Sequence, residues 1–298
     1  MQTTPAFLLE NQQYENLSIE RDADGEAIFM SMDVRPRPCF TWGLVRDMLS
    51  FQRCLTEASK FSATNPRCIV YASESRGVFS LGGDLSLFQA TTENKDRAML
   101  TRYIEDCINV MHNFVSMPET VTVSLLEGEA LGGGFELALS SDVIIAERGI
   151  RLGFPEVLFN LIPGLGGFYL MARRVGPRIA EKIIREGGLH TAEDLHALGL
   201  IDILVDKGEG RRAVYDLLDG QKRSWNTYRA LQHVKRDYLP ITRQMLLSNA
   251  RIWVDAVMKL TGRDLRMMKR LVRAQGKRSD MDVAAETMEN GLVQRVAA

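Results

Sequence analysis

Three consecutive glycines, Gly132-Gly133-Gly134, stand between an apolar run and an apolar segment carrying a glutamate, and this junction constrains the chain more than any other stretch. Val121–Leu126 reads as a buried strand, and Phe135-Glu-Leu-Ala-Leu reads as the first turns of a buried helix. Glycines entering a helix leave backbone N–H groups uncovered at the positive end of its dipole. That is a place to hold an anionic oxygen. The residue needing explanation is Glu136, two positions past the last glycine on an otherwise apolar helix.

Around this junction, short apolar runs alternate with segments of helical spacing. Leu17-Ser-Ile-Glu and Ala27-Ile-Phe-Met-Ser-Met flank Asp22-Ala-Asp-Gly25 and predict a β-hairpin. Trp42 to Lys60 and Lys95 to Ser116 carry helical patterns, whereas Pro66–Ser73 and Val143-Ile-Ile-Ala-Glu147 read as strands. Phe79-Ser-Leu-Gly-Gly-Asp84 is a second strand-to-glycine-loop transition. Helices are expected over Phe168 to Val175, Glu181 to Arg185 and Ala192 to Leu198, and the alternation ends with Gly199–Asp206. Beyond Gly210 no convincing strand follows, and Pro240 breaks one of the helices. The expected fold is α/β, with an N-terminal arm over 1–16, a core over 17–208 and a C-terminal helical module over 209–298.

Lysine plus arginine (37) balance aspartate plus glutamate (38), so bulk charge argues against a nucleic acid or other polyanion partner. The segment from Arg263 to Arg278 is basic; such a run is usually a solvated helix face, with an acidic carrier or a phosphate as the alternative. Cys39, Cys54, Cys68 and Cys107 lack CxxC spacing, so neither a metal site nor a disulfide framework is expected. No apolar run reaches membrane-spanning length and the start of the chain lacks a signal pattern, so no membrane role and a cytoplasmic setting are expected.

Two features carry candidate chemistry. The loops at Gly82-Gly83 and at Gly132–Gly134 can each offer an N–H to one carbonyl oxygen, and two such donors converging would stabilise an oxyanion, each worth about 3 kcal/mol. Either loop alone reads equally as a tight turn. Glu136 and Glu156 form the second feature, since a carboxylate on an apolar helix has its proton affinity raised by desolvation and a nearby carboxylate raises it further. That suits acid–base work near neutral pH. The competing reading makes each a surface or paired glutamate, and spacing alone does not bring the two together. Ser140-Ser141 lacks a nucleophile elbow, and His112 lies on an amphipathic helix where packing explains it. Pro163-Gly-Leu-Gly-Gly167 lacks both a P-loop lysine and a preceding strand, which excludes nucleotide binding there.

Phe79–Asp84, Glu129-Ala-Leu-Gly-Gly-Gly-Phe-Glu-Leu-Ala138, Ser141-Asp-Val-Ile-Ile-Ala146 and Phe154-Pro-Glu through Leu161-Ile-Pro-Gly-Leu-Gly-Gly167 resemble the crotonase (enoyl-CoA hydratase/isomerase) superfamily, over about residues 60 to 206. The resemblance implies a spiral of ββα units with C-terminal helices that build a homo-oligomer, a trimer or hexamer. It also implies an oxyanion hole from the N–H groups of Gly83 and Gly133, with Glu136 and Glu156 as the catalytic pair. Two departures mark a subfamily: Arg35-Pro-Arg-Pro-Cys-Phe-Thr-Trp-Gly43 replaces the first-strand CoA-contacting element, and Asn160-Leu161 replaces a glycine-threonine pair. With these, the chain looks most like bacterial synthases of diffusible signal factor. That likeness implies a 3-hydroxyacyl substrate on acyl carrier protein, dehydrated to the cis-2-enoyl thioester and then hydrolysed to the free acid. No cofactor is implied beyond the phosphopantetheine thioester of acyl carrier protein or CoA that bears the substrate. The acyl tail calls for an apolar tunnel, with Gly82, Leu137, Phe159, Leu161, Met171 and Trp253 as candidate lining. The alternatives are an ordinary enoyl-CoA hydratase of fatty-acid breakdown, a thioesterase-dominant enzyme, and a regulatory partner of a signal sensor.

Overall fold

A computed structural model describes residues 13–59 and 66–271. Most of the N-terminal arm and the end of the basic run lie outside the described residues. Strands β1 (Leu17–Arg21) and β2 (Ala27–Met32) form the hairpin expected from Asp22–Gly25, pairing antiparallel from Leu17 opposite Met32 to Arg21 opposite Ile28. Helix α1 (Trp42–Ser59) follows, and then the chain enters a repeating pattern.

Each repeat is a long strand, a short strand and a helical segment. β3 (Cys68–Ser73) and β4 (Val78–Ser80) lead into α2 (Leu85–Glu93) and α3 (Arg97–Val115). β5 (Val121–Leu126) and β6 (Glu129–Leu131) lead into α4 (Gly133–Ser140). β7 (Val143–Glu147) and β8 (Arg151–Gly153) lead through a 3₁₀ helix (Pro155–Phe159) into α5 (Gly167–Val175) and α6 (Pro177–Glu186). β9 (Leu189–Thr191), α7 (Ala192–Ala197) and β10 (Ile203–Val205) close the alternation. The long strands and the three-residue β10 join a six-stranded sheet of order β1-β2-β3-β5-β7-β10, and the other short strands a four-stranded sheet of order β4-β6-β8-β9. This is the expected spiral of ββα units. The alternation in the sequence missed β6, β8 and β9, because three-residue strands present too few side chains to show a period, and it missed α2, a nine-residue helix that buries only Leu85, Phe88 and Thr91.

β2, β3, β5 and β7 are buried along nearly their whole length because both faces are covered. One face packs on the core beneath α1, α3 and α4; the other meets α8 (Gly210–Gly220) and Trp225 and Tyr228 of α9 (Trp225–Tyr238). Arg236 of α9 ties this outer layer down by pairing with the buried Asp142 and donating to the carbonyls of Met117 and Thr120. After Pro240, α10 (Arg243–Val257) runs along α3 and sinks Leu246, Asn249, Ala250, Trp253, Val254 and Val257 into the core.

Candidate active site

The four-stranded sheet places the site. β4, β6 and β8 lie side by side and parallel, so their C-terminal ends deliver three consecutive segments to one edge. Those segments are Gly82-Gly83, Gly132-Gly133 and Pro155-Glu156, and all of them line one cavity. The two glycine loops touch: a β-carbon on Gly82 would lie 2.6 Å from the Leu131 carbonyl oxygen and 3.1 Å from the Gly133 nitrogen. The Phe40 N–H donates to the Gly82 carbonyl at 2.8 Å, and Phe40 and Gly83 form a parallel bridge that fixes the first loop. The Tyr103 hydroxyl donates to the Phe40 carbonyl at 2.6 Å and anchors this arrangement to α3. Asp84 is the α2 cap, accepting from the Ser86 and Leu87 N–H groups at 3.0 and 3.3 Å. Among the described residues, neither the Gly83 N–H nor the Gly133 N–H has a hydrogen-bond partner within the chain.

Glu136 sits one turn into α4, whose eight residues are all buried. Its Oε1 accepts from the Leu165 N–H at 2.8 Å and the Gly167 N–H at 2.7 Å. The glycine-rich segment at 163–167, which matches no nucleotide motif, thus serves as a clamp for a carboxylate. Burial pushes the Glu136 carboxyl up to about 8, the neighbouring Glu156 charge pushes the same way, and the clamping N–H groups oppose both. Glu156 follows from the 3₁₀ helix, and burial lifts its carboxyl to about 7. Among the described residues its buried Oε2 has no hydrogen-bond partner, while its Oε1 lies against Gly132. A β-carbon on Gly132, which holds φ 51, would come within 2.4 Å of that oxygen. Two coupled carboxyls that hold protons near neutral pH therefore share one pocket.

The cavity opens to solvent at its mouth, and its wall is mostly apolar. Of the residues expected from sequence, Gly82, Gly83, Gly133, Glu136, Glu156, Phe159, Leu161 and Trp253 line it together. Leu137 and Met171 do not. Both are fully buried in the core: Leu137 follows Glu136 by one position, about 100° further round the helix. Phe40, Phe88, Ile104, Cys107 and Leu271 line the cavity but escaped the sequence reading. They lie on helices and a loop whose apolar residues look like any core, and only Phe40, inside the unusual 35–43 stretch, carried a signal. The rings of Phe88 and Trp253 meet edge to face at 4.9 Å, joining α2 to α10 across the wall.

A family model described as enoyl-CoA hydratase/isomerase matches residues 37–232. Over 150 residues the chain is 33% identical to the peroxisomal fatty acid beta-oxidation multifunctional protein AIM1 of Arabidopsis thaliana, covering 49% of this chain and 20% of that protein. Over 166 residues it is 31% identical to the putative enoyl-CoA hydratase/isomerase YhaR of Bacillus subtilis, covering 55% of this chain and 64% of that one. The chain therefore spans less than two thirds of the length of either relative. Among solved structures, an enoyl-CoA hydratase from Bacillus halodurans superposes with TM-score 0.69 at 19% identity, covering 90% of this chain and 100% of that one. DspI of Pseudomonas aeruginosa superposes with TM-score 0.64 at 23% identity, covering 81% and 88%. At these identities the structural likeness is one of fold.

Proposed function

Because the chain belongs to the enoyl-CoA hydratase/isomerase family of the crotonase superfamily, we propose that its cavity dehydrates a 3-hydroxyacyl thioester to the cis-2-enoyl thioester and then hydrolyses it to the free acid. The observation that carries this reading is the pairing of two proton-holding carboxyls, Glu136 and Glu156, in an apolar cavity beside two uncommitted glycine N–H groups. The thioester carbonyl oxygen accepts from Gly83 and Gly133, which stabilises the enolate that forms when the α-proton leaves. Glu156, whose buried Oε2 has no hydrogen-bond partner among the described residues, takes that proton as a carboxylate. Glu136, held in place by the clamp on its Oε1, gives its proton to the departing 3-hydroxyl, which leaves as water. The proton rides on Oε2, since the clamp occupies Oε1. After elimination Glu136 is a carboxylate and Glu156 is protonated. Glu136 then deprotonates water for attack on the thioester carbon, the same N–H pair holds the tetrahedral oxyanion, and Glu156 protonates the departing sulfur. Both residues return to their starting states.

We assign the acyl group to acyl carrier protein and the product to the diffusible signal class on the strength of the departures at 35–43 and 160–161, and the working assembly to a homo-oligomer as the superfamily resemblance implies. A second reading, hydration of an enoyl-CoA without thioester hydrolysis, draws support from the family match and from the names of the relatives. Incubating the purified protein with 3-hydroxyacyl carrier protein and with the matching CoA ester, then measuring products by mass spectrometry, separates the two. Free cis-2-enoic acid from the carrier substrate is expected. An enoyl thioester that persists on CoA, with no free acid from either donor, would leave only the second reading.

A further inference from the structure

The clamp on Glu136 is itself held from outside. Three residues on one face of α10, spaced by three and four positions, press on the segment at 163–167. Asn249, 7% exposed, donates from Nδ2 to the Pro163 carbonyl at 3.0 Å. The Trp253 indole packs on Gly164, where a β-carbon would lie 3.0 Å from Cδ1. Leu246 packs on Gly166, where a β-carbon would lie 2.3 Å from Cδ2. Pro163 begins the turn, and the Leu165 and Gly167 N–H groups that hold Glu136 Oε1 end it. The glycines let the helix approach the turn this closely. The turn in turn has no regular secondary structure before Gly167, so its shape depends on what packs against it.

We infer that Asn249 is a positioning residue for Glu136: its amide fixes the Pro163 carbonyl and so aims the two backbone N–H groups that orient the carboxyl. The inference rests on Glu136 acting as the acid–base proposed above. A hydrogen bond from a buried amide fixes direction as well as distance, which the apolar contacts of Leu246 and Trp253 do not. A small rotation of the turn lengthens both N–H bonds together, because both donors lie within four residues of the bonded carbonyl. Losing them removes bonds that favour the carboxylate, so the carboxyl holds its proton more tightly and less well aimed.

The test uses the full chain and follows dehydration of a 3-hydroxyacyl thioester against pH. Glu136 is also titrated directly by ¹³C NMR of labelled glutamate carboxyls, assigned with Glu136→Gln. In Asn249→Ala, kcat is expected to fall about tenfold or more with KM changed less than about twofold. The alkaline limb of the profile and the Glu136 carboxyl titration are both expected to move upward. Val257→Ala, which opens the buried end of the same helix away from the turn, should lower the melting temperature without moving either titration. If Asn249→Ala does not fold, Asn249→Ser, which can still reach the carbonyl through water, should shift both titrations the same way by less. Wild-type titrations in the Asn249 variants overturn the inference, whether or not kcat falls. Inactivity of Glu136→Gln in the same series keeps the catalytic reading standing on its own, whereas full activity of Glu136→Gln removes that reading.

Discussion

Glu136 and Glu156 reach one cavity by opposite means. Glu136 stands on a buried helix, with one oxygen gripped by two backbone N–H groups at 2.8 and 2.7 Å. Glu156 stands on a single 3₁₀ turn whose next residues, Val157 and Leu158, are 39% and 55% exposed, and its buried Oε2 has no partner among the described residues. Burial raises both carboxyls, but only Glu136 has N–H bonds from other segments working against that rise. The Glu136 side is thus built to hold a direction, and the Glu156 side to leave an oxygen free for a proton arriving from substrate. An unpaired buried polar atom costs about 1–3 kcal/mol, and such a cost is tolerable where substrate supplies the missing partner.

Replacing either carboxyl should have the largest effect. Glu136→Ala and Glu156→Ala are each expected to cut turnover by about 100-fold or more while leaving the circular dichroism spectrum unchanged. Near-normal turnover in one of them would break the two-carboxyl comparison outright. Gly132→Ala should come next. Its methyl would strike Glu156 Oε1 and sit at φ 51, so turnover should fall about tenfold or more and stability by about 1–2 kcal/mol, read by kinetics and denaturant melts. Wild-type activity there would mean that the Glu156 turn yields freely.

The pH profile sharpens the comparison further. If Glu156 must be ionised and Glu136 protonated, kcat/KM should form a narrow bell with limbs near 7 and 8. Stability gives the same information without substrate. Both folded values lie above the ordinary 4.5, so the unfolded chain ionises first as pH rises. The wild type therefore carries no penalty below about 4.5 and loses stability relative to Glu136→Gln until about pH 8, at roughly 1.4 kcal/mol per pH unit. Melting curves of the two proteins should diverge across that window and run parallel outside it. For Glu156→Gln the divergence should end nearer pH 7. The smallest effect is expected from Leu158→Ala on the exposed shoulder of the Glu156 turn, which should change stability by less than about 0.5 kcal/mol.

Residues 121–126 and 132–147 were legible because they are locally consistent. A β-rich apolar run, glycines and an apolar helix state their structure within a few positions, and β5, α4 and β7 lie where the sequence put them, with the helix starting at Gly133 rather than Phe135. The hairpin, α1 and α3 were readable for the same reason. The cavity wall was not. Phe88, Ile104 and Cys107 present the same apolar periodicity whether they face a tunnel or a core, and Leu137 and Met171 fall on the core side of that choice. The segment at 163–167 could be judged only by what it lacked; its function as a clamp depends on which carboxyl it meets.

By itself, then, the sequence determined the alternation of long strands with helices, the two glycine loops, the two glutamates and the family to which they belong. Each of these is written in neighbouring residues, through turn chemistry and hydrophobic period. Only the tertiary structure decided that β4, β6 and β8 run side by side and bring those groups to one edge. It also decided that a helix more than a hundred residues after Glu136 presses on the turn that aims it. Strand order and long-range packing come from the summed burial of many side chains, and no short stretch of sequence contains that sum.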